Sequence, residues 1–429
     1  MFRSRRESPE NLNLCLIAAN FPTVGRTTEN GFLWPVARGL ARKGHKVTVL
    51  SWGANESSAE IVQDGIQVYF VGHGKGLNLS QFPVLILQKF ALLHSQQPFH
   101  LVHSLDGGAQ AIANIKKDFQ VAVAYDVEAT QLSQIFSILG MAQENLPNLL
   151  STTINVTYKY LTTYLGRDRR LLASADAVFV TSPPQRMALE RYYLYPEMKT
   201  HLIPYGIELG DLSPREKSAE LRQKLNLPEN GQVVVTATDM TELAETINLL
   251  RAFEKVAVKR PSSRLLVVGN GPLFKQIEYE ALCLALGSRV IFTGAISAGL
   301  LSDYISLADV FVSLSARTSG FEPSLLEAMA QKKVVIGSEV SPIGALVEDG
   351  LDGFLIRPAD VATLSELIQQ VFNDEIDHSA IGERAREKVV KLFDLERMMQ
   401  QTLAAYRQAM AASGFFARPA ARNAPHLAP

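Results

Sequence analysis

Short, continuous apolar runs recur along the chain, each followed by a polar or glycine-bearing turn and then a stretch of helical periodicity. In the first half they are Leu14–Ala19, Val47–Leu50, Leu101–Ser104, Val121–Asp126 and the run within Ser174–Ser182. In the second half they are Val233–Thr236, Leu265–Val268, Val290–Gly294, Asp309–Leu314, Val334–Ile336 and Gly353–Ile356. Strands covered on both faces read this way, because no alternate position has to face water. The intervening segments read as helices: Val36 to Ala41, the strongly apolar Phe82–Ser95, the amphipathic Thr246–Val258, and Ser324–Ala330. Lys43-Gly44 gives the first of them a cationic last turn and a C-terminal glycine. Pro323 suits the opening turn of the last, where a missing N–H removes nothing. This alternation predicts an α/β protein built on parallel sheets.

Length adds a domain count. At 429 residues the chain exceeds one ordinary domain, and roughly two or three are expected. Pro204-Tyr205-Gly206, between two apolar runs, reads as a crossing from one domain to the next. The predicted boundaries are 1–205, 206–394, a helix over 395–411, and a disordered tail over 412–429 rich in Ala and Pro. Thr130 to Arg170 has two readings. Its Ile135–Leu139 face beside Arg167, Arg169 and Arg170 could rest on a membrane surface, but such a pattern is more often an intradomain helix pair with a solvated end.

Composition removes several classes. A net charge of −1 gives no argument for nucleic acid. No apolar run is long enough to span a bilayer, and the basic start Arg3–Arg6 is followed by polar residues, so no signal peptide is read. Two cysteines, Cys15 and Cys283, are too few for a disulfide framework; both are expected to be buried small hydrophobes. No metal cluster is expected. The cytoplasm is the expected compartment.

The richest stretch is Ser315–Ala330, where an apolar strand meets a Gly-containing turn and then a helix. Such junctions are where α/β proteins hold anionic ligands. Gly320-Phe321 followed by Leu326-Glu327-Ala328-Met329-Ala330 resembles the signature of the family-4 retaining glycosyltransferases, group 1 of the GT-B superfamily. Leu249–Phe253, Pro204–Glu208 and Val347–Phe354 resemble further parts of that family, and the likeness covers nearly the whole chain. It implies two Rossmann-like domains facing a central cleft, with the C-terminal helix returning to the N-terminal domain.

The resemblance also implies a donor site. Glu327 is the expected ribose carboxylate, with Ser319, Gly320, Phe321, Gly269, Gly25 and Thr293 around the donor. Several positions depart from the family. Ser319 replaces the first signature Glu, Tyr125 a His, and Gly25-Arg26 a Gly-Gly pair. Ser341-Pro342 replaces a second Gly-Gly, and Ala345 the Glu after it. Asp239 and Ala244 stand where relatives carry the Arg and Lys that clamp the donor diphosphate. Removing one member of a buried charge pair costs about 2–5 kcal/mol, so the loss of both predicts replacement cations. Arg26 and Arg317 are the candidates, although each alone reads as a surface arginine. His103, at a strand end, is either a packed histidine or a ligand.

The activity implied is transfer of a sugar from a nucleotide-diphosphate sugar to a glycan or lipid-linked acceptor in cell-surface polysaccharide synthesis. No cofactor is implied, and a peripheral contact with the inner face of a membrane is expected. The alternative is a degenerate glycosyltransferase fold acting as a binding or scaffold subunit. A sugar-phosphate epimerase of the same superfamily is a third class that no residue selects.

Overall fold

The computed structural model describes residues 9–19, 21, 33–53, 59–72, 79–127, 166, 168–209, 213–296, 298–315 and 323–416. Two compact units account for them. One comprises the chain up to Phe21, Val36–Pro204 and everything from Met398 onward; Tyr205–Arg397 forms the body of the other. Most of Thr130–Arg170 lies outside the described residues.

The first unit is built on one sheet. Its strands are β1 (Asn13–Ala18), β2 (Lys46–Trp52), β3 (Glu60–Gln63), β4 (Ile66–Val71), β5 (Leu101–Ser104), β6 (Ala122–Asp126), β7 (Ala177–Val180) and β8 (Thr200–Leu202). Their order across the sheet is β3-β4-β2-β1-β5-β6-β7-β8. All neighbours pair in parallel except β3 and β4. Those two form a hairpin about Asp64-Gly65, both with positive φ, the geometry that two-residue hairpin turns demand. The sequence reading had ended the unit's strands at Ser174–Ser182; β8 follows as the edge strand.

Alternation along the strands sorts the side chains. Cys15, Ile17, Val102, Val123, Tyr125 and Val178 join one apolar core with Ile86 and Phe90 of the helix Phe82–Gln96. The opposite positions, among them Leu16, His103, Ala124 and Phe179, face the other way. There the last helix, Leu395–Ser413, lays Tyr406 against His103 and Phe179. Gly39 lets the helix Leu33–Arg42 approach the same element; a Cβ on it would lie 3.1 Å from the Met399 sulfur. The last helix outruns the expected range, and Phe416 is buried beside His100, so the chain keeps its packing past residue 412.

The second unit holds β9 (Val233–Ala237), β10 (Arg264–Val268), β11 (Val290–Gly294), β12 (Val310–Ser313), β13 (Val334–Ser338) and β14 (Phe354–Ile356). Their order is β11-β10-β9-β12-β13-β14, all parallel. The order reverses between β9 and β12, as in a doubly wound dinucleotide fold. The core gathers β9, β10, β12 and β13 with Leu249, Leu250, Phe253 and Val256 of the helix Leu243–Lys259. Cys15 is buried as expected, but Cys283 is exposed. It ends the helix Phe274–Cys283, which buries Ile277 and Ala281 and turns its remaining face outward.

Candidate functional site

In an open parallel sheet, ligands bind beyond the carboxyl ends of the strands where the strand order reverses. In the second unit that point lies between β9 and β12, and the surrounding rim is tightly tied. Thr238 donates its N–H to the Val268 carbonyl at 2.9 Å, and Gly269 donates to the Gly294 carbonyl at 3.2 Å. Gly269 has φ +127, and a Cβ there would lie 1.9 Å from the Thr238 carbonyl oxygen. A Cβ on Gly271 would lie 1.7 Å from the Asp239 carbonyl oxygen. Only glycine lets the backbones meet at these two positions. Thr293 donates its hydroxyl to the Gly294 carbonyl at 3.0 Å. The exit of β12 is fastened too, since the Ser315 N–H donates to the Ser338 hydroxyl at 3.0 Å.

Two helices begin at this rim. Leu243–Lys259 follows β9, and Glu242 at its N-cap makes no side-chain capping bond. Pro323–Ala330 follows β12 and is buried from Ser324 to Ala330, including the Glu327 side chain. Gly382 of the helix His378–Leu392 presses on its end, where a Cβ would lie 2.4 Å from the Lys332 carbonyl oxygen. Arg386 donates to the Ala330 carbonyl. Glu327 is therefore a carboxylate held in the second turn of a helix fixed at its far end.

The structure thus brings Asp239, Gly269 and Thr293 to one rim. Asp239 closes a turn of its own there: its carboxylate accepts the Thr241 N–H at 3.1 Å and the Thr241 hydroxyl at 2.8 Å. Ala244 lies in the first turn of Leu243–Lys259. Gly25, Arg26, Arg317, Ser319, Gly320 and Phe321 lie outside the described residues.

The first unit has its own reversal, between β1 and β5. Asp106 spans it, accepting the Ala19 N–H at 2.6 Å and the Gly108 N–H at 2.7 Å. In the sequence, Asp106-Gly107-Gly108 is visible as a turn signal after the strand, but nothing there marks Asp106 as the residue that spans the reversal. His103 is buried, with Nδ1 at 2.7 Å from the Tyr406 hydroxyl and Nε2 at 3.7 Å from Asp126 Oδ1. Tyr125 points into the apolar core on the opposite face, and burial pushes its hydroxyl well above the ordinary tyrosine range.

Comparison with known families agrees with this geometry. Residues 32–206 match the family described as "Glycosyl transferase 4-like domain", and residues 217–388 match "Glycosyl transferases group 1". The chain carries a glycosyl transferase 4-like domain followed by a glycosyl transferases group 1 domain. It is 29% identical over 182 residues to N-acetyl-alpha-D-glucosaminyl L-malate synthase of Bacillus anthracis, covering 42% of this chain and 47% of that protein. The match therefore spans about half of that relative's length. Sucrose-phosphate synthase from Thermosynechococcus elongatus superposes with a TM-score of 0.73 at 23% identity, over 94% of this chain and all of that one. HepE of Anabaena, solved in complex with UDP-glucose, superposes with a TM-score of 0.66 at 18% identity, over 92% of this chain and 100% of its own. These structural likenesses are of the GT-B fold. No helix among the described residues is long and apolar enough to cross a membrane.

Proposed function

We propose that the chain is a retaining glycosyltransferase that moves a sugar from a nucleotide-diphosphate sugar to a glycan or lipid-linked acceptor in cell-surface polysaccharide synthesis. The observation that carries this reading is the second unit's rim, where Gly269 and Gly271 crowd the exit of β9 and Glu327 is buried on the helix after β12. The close backbones leave room for a nucleotide, and Glu327 is the carboxylate for its ribose hydroxyls. The leaving diphosphate carries the developing charge. With Asp239 and Ala244 at the clamp positions, N–H groups at the start of Leu243–Lys259 would receive its oxygens, aided by Arg26 and Arg317. The first unit is the acceptor side, and no cofactor enters the reaction.

One observation favours a second reading. Asp239 spends its carboxylate on its own turn and places negative charge beside the diphosphate position, as suits a binding or scaffold subunit that no longer transfers sugar. The two readings part in an assay of nucleoside diphosphate release, using a panel of nucleotide sugars with lipid extract and oligosaccharide acceptors. Release, with the donor's anomeric configuration preserved in the product, supports the transferase. Nucleotide binding with no release under any pairing supports the scaffold.

A further inference from the structure

Beneath the last helix, three buried polar side chains meet on one face of the sheet. His103 of β5 and Asp126, the last residue of β6, share that face, and Tyr406 descends on them from Leu395–Ser413. The His103 ring lies against Phe179, with centroids 4.7 Å apart. Asp126 is 3% exposed, His103 7% and Tyr406 0%, so all three are screened from bulk water.

Their geometry fixes where the protons sit. Burial and the Asp126 charge raise the Tyr406 hydroxyl far above its ordinary range, so it keeps its proton. Its recorded partner is His103 Nδ1 at 2.7 Å. If Nδ1 carried the ring's single hydrogen, the tyrosine proton would lose this acceptor, and a bare Nε2 lone pair would face a carboxylate oxygen 3.7 Å away. Both are costly in a dry site. The opposite arrangement satisfies every sign: Tyr406 donates to Nδ1, and Nε2–H points at Asp126. Nε2 has no hydrogen-bond partner among the described residues, and Asp126 stands just beyond bonding distance.

We propose that Tyr406 is a positioning residue, setting the tautomer and tilt of His103 so that Nε2–H orients the Asp126 carboxylate at the strand-end rim of the first unit. This rests on the acceptor-side reading of that unit and adds to it that Asp126 meets an acceptor hydroxyl. The last helix then helps to build the acceptor site through one hydrogen bond.

The test uses the full chain labelled with 15N-histidine, the His103 signals being assigned by their absence in His103→Gln. The wild type should show His103 with hydrogen on Nε2 and a pyridine-type Nδ1. Tyr406→Phe, which keeps the ring's packing, should lose that preference. The kinetic arm expects acceptor KM to rise about two- to tenfold in Tyr406→Phe, with donor KM unchanged. Hydrogen on Nδ1 in the wild type, or an unchanged tautomer in Tyr406→Phe, overturns the proposal. An altered tautomer with acceptor KM unchanged overturns the link to the acceptor. Absence of all transfer by the wild type overturns the transferase reading instead, and the nitrogen signals then still decide the role of Tyr406.

Discussion

Gly271 sits so close to Asp239 that a Cβ on it would lie 1.7 Å from the Asp239 carbonyl oxygen. The loops leaving β9 and β10 are thus pressed together where the second unit's rim is formed. Gly271→Ala must push them apart, at about 1–3 kcal/mol for an overpacked contact. Urea unfolding should show that loss, and nucleotide affinity should fall with it. Gly344→Ala is the matched control, because nothing lies within 4 Å of a Cβ there; its stability should stay within about 0.5 kcal/mol of wild type. Equal behaviour of the two variants would mean that the rim tolerates separation.

Restoring the family's cations is a gain-of-function test. Asp239→Arg with Ala244→Lys removes a repulsive carboxylate and adds two positive groups at the diphosphate position. Each charge-assisted hydrogen bond is worth about 1.5–3 kcal/mol, or about ten- to a hundredfold in affinity. Calorimetry with a nucleoside diphosphate should show at least the gain of one such contact. No gain would show that the site differs from its relatives in more than its cations, and would favour the scaffold reading.

Two histidines of the first unit accept backbone hydrogen bonds at the start of β1. His45 Nδ1 accepts the Leu12 N–H at 3.1 Å, and His100 Nδ1 accepts the Asn13 N–H at 2.8 Å. A protonated nitrogen cannot accept. Burial, then the nearby Arg407 and Lys43, hold His45 below its ordinary value. The unfolded chain therefore takes up the proton first, and stability falls as pH drops through about 6.5, the unfolded value. Above that pH this histidine contributes no pH dependence. Thermal melts between pH 7.5 and 5.5 should show the decline, and His45→Gln should flatten it. An equal slope in the variant would assign the acid sensitivity elsewhere.

The fold was legible because strands covered on both faces leave continuous apolar runs, and Leu326–Ala330 with Gly320-Phe321 carries a family pattern. The β3–β4 hairpin was not read, although Asp64-Gly65 marks its turn; its strands are short and β3 is partly exposed, so their apolar signal is weak. Glu327 and Gly269 are expected at the donor from the resemblance alone, and the structure adds the close approaches that require glycine at Gly269 and Gly271. The exposure of Cys283 depends on which face of its helix packs, which one residue type cannot tell. His103 was left between two roles because its partner, Tyr406, is 303 residues away in sequence. No local pattern joins the two.

We expect the second unit's rim to bind a nucleoside diphosphate through Glu327. Isothermal titration of the full chain with UDP, GDP and ADP, alone and as their sugars, tests it most directly when Glu327→Ala is titrated beside the wild type. The account predicts saturable binding of one base series by the wild type. It predicts a loss of about 1.5–3 kcal/mol in the variant, the worth of a charged hydrogen bond, with the melting transition still cooperative. Undiminished affinity in a folded Glu327→Ala, or no binding of any nucleotide by the wild type at millimolar concentration, would contradict it.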